Sequence, residues 1–188
     1  MTDPKTSKLT IPRTLQRLKE SETSRRSIIN ELNFTYKRLL RLLPGIVKRV
    51  DAAPVGKVLN DQDRMDRVIA ERLGQVAIEQ GEPPESCICE EANAMVENIY
   101  NAERAAPTRA ARASAIIRAL KSTRAFLIRV WARLIGTLSP DKQPRFLKEA
   151  KALQASEADL HRELVSLGQQ IDASAHRADP DQPSKGTQ

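Results

Sequence analysis

The run Ile116-Ile117-Arg118-Ala119-Leu120-Lys121-Ser122-Thr123-Arg124-Ala125-Phe126-Leu127-Ile128-Arg129-Val130-Trp131-Ala132-Arg133-Leu134-Ile135 mixes apolar and basic side chains with the period of an α-helix. Ile116, Ile117, Leu120, Leu127, Ile128, Trp131, Leu134 and Ile135 fall on one arc of a helical wheel. Pro107 and Thr108 punctuate it on one side, and Ser139-Pro140-Asp141-Lys142-Gln143-Pro144 makes a turn on the other. The spacing predicts a helix over 108–137. Arg124 lies inside the arc of Ile117, Leu120, Ile128 and Trp131, so a cation is placed on the inward face.

The same period recurs outward in both directions. Ile28, Ile29, Leu32, Tyr36, Leu39, Leu40, Leu43, Ile46 and Val47 define an earlier helix, with Pro44 inside it as an expected kink. Val58, Leu59, Met65, Val68, Ile69, Leu73 and Val76 give another, opening near Pro54 and stopping at Gly81. Gly81-Glu82-Pro83-Pro84-Glu85-Ser86 is the clearest loop, and a shorter helix follows over 89–104. Phe146, Leu147, Ala150, Leu153, Leu160, Leu164 and Leu167 supply the last stripe, over 144–171. Residues 1–23 are expected to form a mobile arm with a short helix over 12–20 and a break at Ser21–Ser24. The bundle then covers 24–173, and 174–188 is read as a disordered tail.

Four helices of this size each span about 40 Å at 1.5 Å per residue. Short connections near residue 53 and at 139–144 make antiparallel hairpins, while 81–107 is long enough to cross the bundle. The expected fold is therefore all-α: a ferritin-like antiparallel four-helix bundle, two hairpins joined by a crossover containing a short helix. The 188 residues suit one such domain. Seven glycines and 3% aromatic residues argue against sandwiches, barrels and dinucleotide-binding folds. Two His and two Cys leave little for a His-based triad or a four-ligand zinc site, and no enzyme is expected.

The formal charge of +7 invites a nucleic-acid reading until its distribution is followed. Residues 1–50 carry twelve basic and four acidic groups, 51–103 four and twelve, 104–133 eight and none, and 134–188 seven and eight. Such blocks can neutralise one another on folding. Arg109, Arg112, Arg118, Arg129 and Arg133 are the candidate phosphate contacts, but no recognition motif and few stacking aromatics accompany them. Arg124 has two readings: an internal pair with a carboxylate of the acidic second helix, such as Asp63 or Asp66, or a side chain that snorkels to an edge of a slightly rotated helix. Cys87-Ile88-Cys89 is a weak signal for soft-metal or redox use, and reduced thiols are expected. Glu157 and His161 are a turn apart and read as a solvated contact, and Tyr36 as a core aromatic. No signal peptide or membrane span is expected, which makes the cytoplasm the default location.

Several local runs resemble the YciF-type ferritin-like family of bacterial stress-associated proteins over residues 30–165. Leu39-Leu40-Arg41-Leu42-Leu43-Pro44 resembles its Leu-Leu-Lys-Ala-Leu-Pro. Glu71-Arg72-Leu73 with Gly81-Glu82-Pro83-Pro84 resembles its Glu-Arg-Leu and Gly-Glu-Lys-Pro, followed by Cys89-Glu90. Ile128-Arg129-Val130-Trp131-Ala132-Arg133-Leu134-Ile135-Gly136 is similar to its Leu-Arg-Ala-Trp-Ala-Lys-Gln-Leu-Gly. The resemblance implies a four-helix bundle, a homodimer and a link to stress. It also implies a di-metal site of inward carboxylates and His, yet the matching positions here are Tyr36, Ile69, Arg118, Lys121 and Ser156. The expectation is thus a non-enzymatic bundle with its metal positions vacated, no cofactor, and a role in contacts with an unidentified protein partner. A metal-binding oxidoreductase or storage protein is the first alternative and a nucleic-acid-binding helical protein the second.

Overall fold

The computed structural model describes residues 13–50, 53–85 and 87–178 and places five helices among them: α1 (Arg13–Arg49), α2 (Ala53–Glu79), α3 (Glu90–Ala105), α4 (Arg109–Thr137) and α5 (Pro144–Ala178). The described residues contain no strand.

Chemistry at the ends explains where the helices stop. Gly81 takes φ +73°, the left-handed conformation that closes α2. Its N–H donates to the Ile78 carbonyl at 2.9 Å, and that of Glu82 to Ala77 at 2.9 Å, satisfying carbonyls the last turn would leave orphaned. At the other end of the crossover, Thr108 Oγ1 accepts the Ala111 N–H at 3.2 Å and caps α4.

Two boundaries differ from expectation. The break at Ser21–Ser24 is absent, because α1 runs unbroken from Arg13 and continues through Pro44. Ser and Thr favour caps without enforcing them, and neither Pro nor Gly stands between residues 14 and 43 to force a stop. At the C-terminal end α5 passes through residue 174 to Ala178, with the Ser174 hydroxyl bonded to the Gln170 carbonyl at 2.8 Å. The next proline is Pro180. The rest of the expected arm (1–12) and tail (179–188) lies outside the described residues.

Cross-helix contacts fix the directions. Tyr36 meets Trp131 and Glu31 meets Arg133, so α1 and α4 are antiparallel. Gln62 meets Leu160, Arg72 meets Glu149 and Glu79 meets Arg145, so α2 and α5 are too. Gln154 reaches Ile128 and Gly168 packs against Ile117, which sets α4 against α5 in the same sense. With the short α1–α2 connection, every neighbour in the ring α1-α2-α5-α4 is antiparallel. The chain returns from the end of α2 to the start of α4 through α3, which lies on α1 and α4 and runs parallel to α1, with Arg38 facing Glu97 and Arg49 facing Glu103.

The core follows the sequence stripes. Ile29, Leu32, Tyr36, Leu39, Leu43 and Ile46 of α1 share one buried core with Leu59, Ile69 and Leu73 of α2. Ile116, Leu120, Leu127, Trp131 and Leu134 of α4 join the same core with Phe146, Ala150 and Leu164 of α5. Burying a large aliphatic or aromatic side chain contributes about 1.5–3 kcal/mol, so these stripes supply the main driving force. No helix among the described residues is long and apolar enough to cross a membrane.

Candidate functional site

Half-way along the bundle the apolar core gives way to a cluster of polar side chains from all four long helices. Arg124 of α4 is fully buried, as are Asp66 and Gln62 of α2, Glu157 of α5 and Tyr36 of α1. Each is inward for the same reason as its apolar neighbours. Asp66 stands three residues from Ile69 and seven from Leu59 and Leu73. Glu157 stands four from Leu153 and three from Leu160.

Arg124 organises the cluster. Its guanidinium forks onto Asp66, with Nη1 donating to Oδ1 at 2.6 Å and Nη2 to Oδ2 at 2.9 Å. Its Nε donates to Gln62 Oε1 at 2.8 Å, and Gln62 Nε2 donates in turn to the Leu160 carbonyl at 3.1 Å. Nη1 also reaches Glu157, at 3.3 and 3.4 Å from its two oxygens. Glu157 Oε1 accepts a 2.6 Å bond from the Tyr36 hydroxyl, whose oxygen accepts the Trp131 indole N–H at 2.9 Å.

The electrostatics are unequal. Burial alone would disfavour the charge on Arg124, but Asp66 and Glu157 outweigh it and the guanidinium stays ionised. Burial pushes both carboxyls above their ordinary range, and Arg124 pulls them back only in part. Burial, and then the Glu157 carboxylate, raises the Tyr36 phenol well above its ordinary value, so it remains a neutral donor.

Of the residues singled out from sequence, the structure brings Arg124 and Asp66 together. Asp63 is turned away and pairs with Arg67 at 3.1 Å on the same helix. The positions aligned with a di-metal site scatter. Tyr36 and Ile69 are in the core, but Arg118 is exposed, Lys121 half-buried, and Ser156 half-buried with its hydroxyl on the Ala152 carbonyl. At about 100° per residue, Arg118 is about 120° round the helix from Arg124, and Ser156 about 100° from Glu157, so neither points inward. Residues 124 and 157 occupy the inward positions instead.

The five arginines proposed as phosphate contacts do not form one stripe. They spread over about half the circumference of α4 at that helical period. Arg133 is paired with Glu31 at 3.1 Å and Arg129 lies over the Phe126 ring at 6.0 Å. Arg109 and Arg118 are exposed and Arg112 is half-buried. Cys87 and Cys89 are free thiols, and burial, then Cys89, Glu31 and Glu85, raises the Cys87 thiol away from reactivity. Among the described residues no group of three or more His, Cys, Asp or Glu could hold a metal ion.

Sequence reasoning missed Glu157 by pairing it with His161. The pattern Leu153, Glu157, Leu160, Leu164 carries the signal, since a carboxylate at a core step of the stripe has to face inward. Gln62 was visible in the same way. A second feature lies outside the core, an open groove of about 510 Å³ between α1 and α3, lined by Arg38, Arg41, Leu42, Val96, Glu97 and Tyr100 among others. Its lining sets no nucleophile against a base.

Comparison with solved structures settles the architecture. The E. coli stress protein YciF superposes with a TM-score of 0.76 over 81% of this chain and 97% of its own, at 14% identity. The fold is that of YciF. YcfI of Rhodopseudomonas palustris, described as a candidate structural protein, superposes with a TM-score of 0.67 over 73% of this chain and 89% of its own, also at 14% identity. No protein-family model matches the sequence, and no curated protein matches it significantly. At 14% identity the likeness to YciF is one of fold.

Proposed function

We propose that this protein is a non-enzymatic, metal-free ferritin-like bundle that acts through protein contacts, as a homodimer, in a bacterial stress response. One observation carries the reading: the centre of the bundle is filled by the Arg124 guanidinium, which engages the two inward acidic side chains, Asp66 and Glu157, from α2 and α5. The residues present do not fit a pair of metal ions. Two cations would have to displace a buried guanidinium from its ion pairs and take Tyr36 and Gln62 as neutral ligands. Coulomb repulsion from Arg124 and the desolvation of each ion both oppose that. The stress association and the structural role rest on the shared fold with YciF and YcfI. The cytoplasm fits a chain whose described helices include none able to cross a membrane.

Elemental analysis of protein purified from iron- and manganese-rich medium tests the reading, together with its mass by light scattering. The expected result is substoichiometric metal and a dimer. Near-stoichiometric metal would overturn the metal-free assignment in favour of a storage or redox role, and a monomer at high concentration would remove the dimer.

A further inference from the structure

The buried cluster contains one cation and two acids, and the bond lengths are not shared evenly between them. Asp66 takes both prongs of the Arg124 fork, at 2.6 and 2.9 Å, which is the geometry of an ionised carboxylate against a guanidinium. Glu157 lies behind Nη1 at 3.3 and 3.4 Å, near the limit of a hydrogen bond. Its one short contact is from Tyr36 at 2.6 Å. Because the Trp131 N–H already occupies the Tyr36 oxygen, the phenolic hydrogen is directed at Glu157 Oε1. Oε1 is therefore an acceptor, and Oε2 has only the long approach of Nη1.

With both acids ionised the cluster would carry a surplus negative charge, with all three side chains at zero exposure. A buried charge without a full partner is more costly than a buried neutral hydroxyl, and a carboxyl in that position neutralises by keeping its proton. The charged and titratable groups that face Glu157 are Arg124 from α4, Asp66 from α2 and Tyr36 from α1. Arg124 is engaged with Asp66, and Tyr36 remains neutral. We infer that Glu157 is a proton-binding site, held as a neutral carboxylic acid, so that the cluster closes as one cation, one anion and one proton. Raised burial-driven proton affinity at both acids agrees with one proton being retained between them, and the bidentate fork assigns it to Glu157.

Infrared spectroscopy of the folded protein at neutral pH tests this directly, because a protonated carboxyl has a C=O stretch that carboxylates lack. The expected result is one such band, lost in E157Q. In D66N Glu157 becomes the sole counter-ion of Arg124 and ionises, so the band is lost there too. Carbon-13 at the glutamate carboxyls of wild-type protein assigns the proton. E157Q should match wild type at about pH 4 and exceed it at neutral pH, since the amide keeps the shape of the neutral acid and does not ionise on unfolding. Should E157Q fail to fold, wild-type protein with carbon-13 at the glutamate carboxyls gives the answer: one glutamate carbon should remain at its protonated shift when all others have titrated. Absence of the band and of that carbon signal in folded wild-type protein overturns the inference. A protonated carboxyl carbon found among the aspartates and not the glutamates of wild-type protein also overturns it, by moving the proton to Asp66.

Discussion

Trp131 donates its indole N–H to the Tyr36 hydroxyl at 2.9 Å, joining α4 to α1 inside the core. The same hydroxyl passes its own hydrogen to Glu157 on α5. Both partners of Tyr36 are fully buried, so no solvent can replace it when it is removed. Trp131 is also the single tryptophan of the chain, and its emission reports on the cluster directly.

Y36F keeps the ring and deletes the hydroxyl, which leaves the Trp131 N–H and Glu157 Oε1 without this partner. The expected loss is about 1–3 kcal/mol in urea unfolding followed by Trp131 emission. A variant as stable as wild type would show that the Tyr36 hydroxyl contributes nothing net.

R124M removes the cation and strands Asp66. Breaking a buried pair from one side costs about 3–5 kcal/mol, whereas replacing the whole group with apolar side chains is often neutral or better. R124M should therefore unfold at much lower denaturant, and R124M combined with D66L and E157M should recover most of the difference. Should the triple variant be no more stable than R124M, packing rather than stranded charge is the cause.

The response to pH should have two limbs of opposite sign. The hydrogen bonds from Arg49, the shortest of them 2.5 Å, hold the Glu103 carboxyl below its ordinary value against the effect of burial. Its contribution is complete above the ordinary glutamate range, about 4.3, and is lost as pH falls through the depressed value. Asp66 and Glu157 are raised, so the folded state holds the extra proton, and stability declines as pH climbs from the ordinary carboxylate range through their raised values. Melting temperatures from about pH 3 to about pH 9 should show E103Q flattening the acid limb and E157Q the alkaline one. Unchanged limbs in both variants would assign the pH response to other groups.

The loop that follows α2 is pinned to α1. Arg25 Nε bonds both oxygens of Glu82, at 2.8 and 2.9 Å, and Asn30 Oδ1 accepts the Glu85 N–H at 2.7 Å. R25M with N30A should speed amide hydrogen exchange in 80–89 while α4 and α5 keep wild-type protection. Equal exchange in the loop would mean that its backbone is held by Gly81 and the α2 cap alone.

Legibility in the sequence varied with the kind of physics involved. Apolar periodicity placed all four long helices and the α3 crossover, because burial of a stripe depends on spacing alone. It also placed Arg124 inside the Ile117–Trp131 arc, but spacing alone left open whether so long a side chain stays inside or snorkels to an edge. Partner choice was harder. Asp63 and Asp66 are the same residue type three positions apart, and only the angle that carries Asp66 with Ile69 and Leu73 separates them. Glu157 was read with His161 because local spacing suggested a surface pair, while its true partners are 33 and 121 residues away. The helix ends at Ser21–Ser24 and at 174 failed for a different reason: cap-forming residues permit a stop, and nothing in the chain enforced one.

Because Tyr36, Asp66, Arg124, Trp131 and Glu157 come from four helices, neither hairpin is a finished object. While a chain is being synthesised, Asp66 has no counter-ion until residue 124 has emerged, and Tyr36 has no acceptor until residue 157 has. The first hairpin must stay hydrated along its inner face through that interval. A fragment ending in the 80–89 loop should accordingly collapse without fixed packing, and assembly should wait for the second hairpin to arrive.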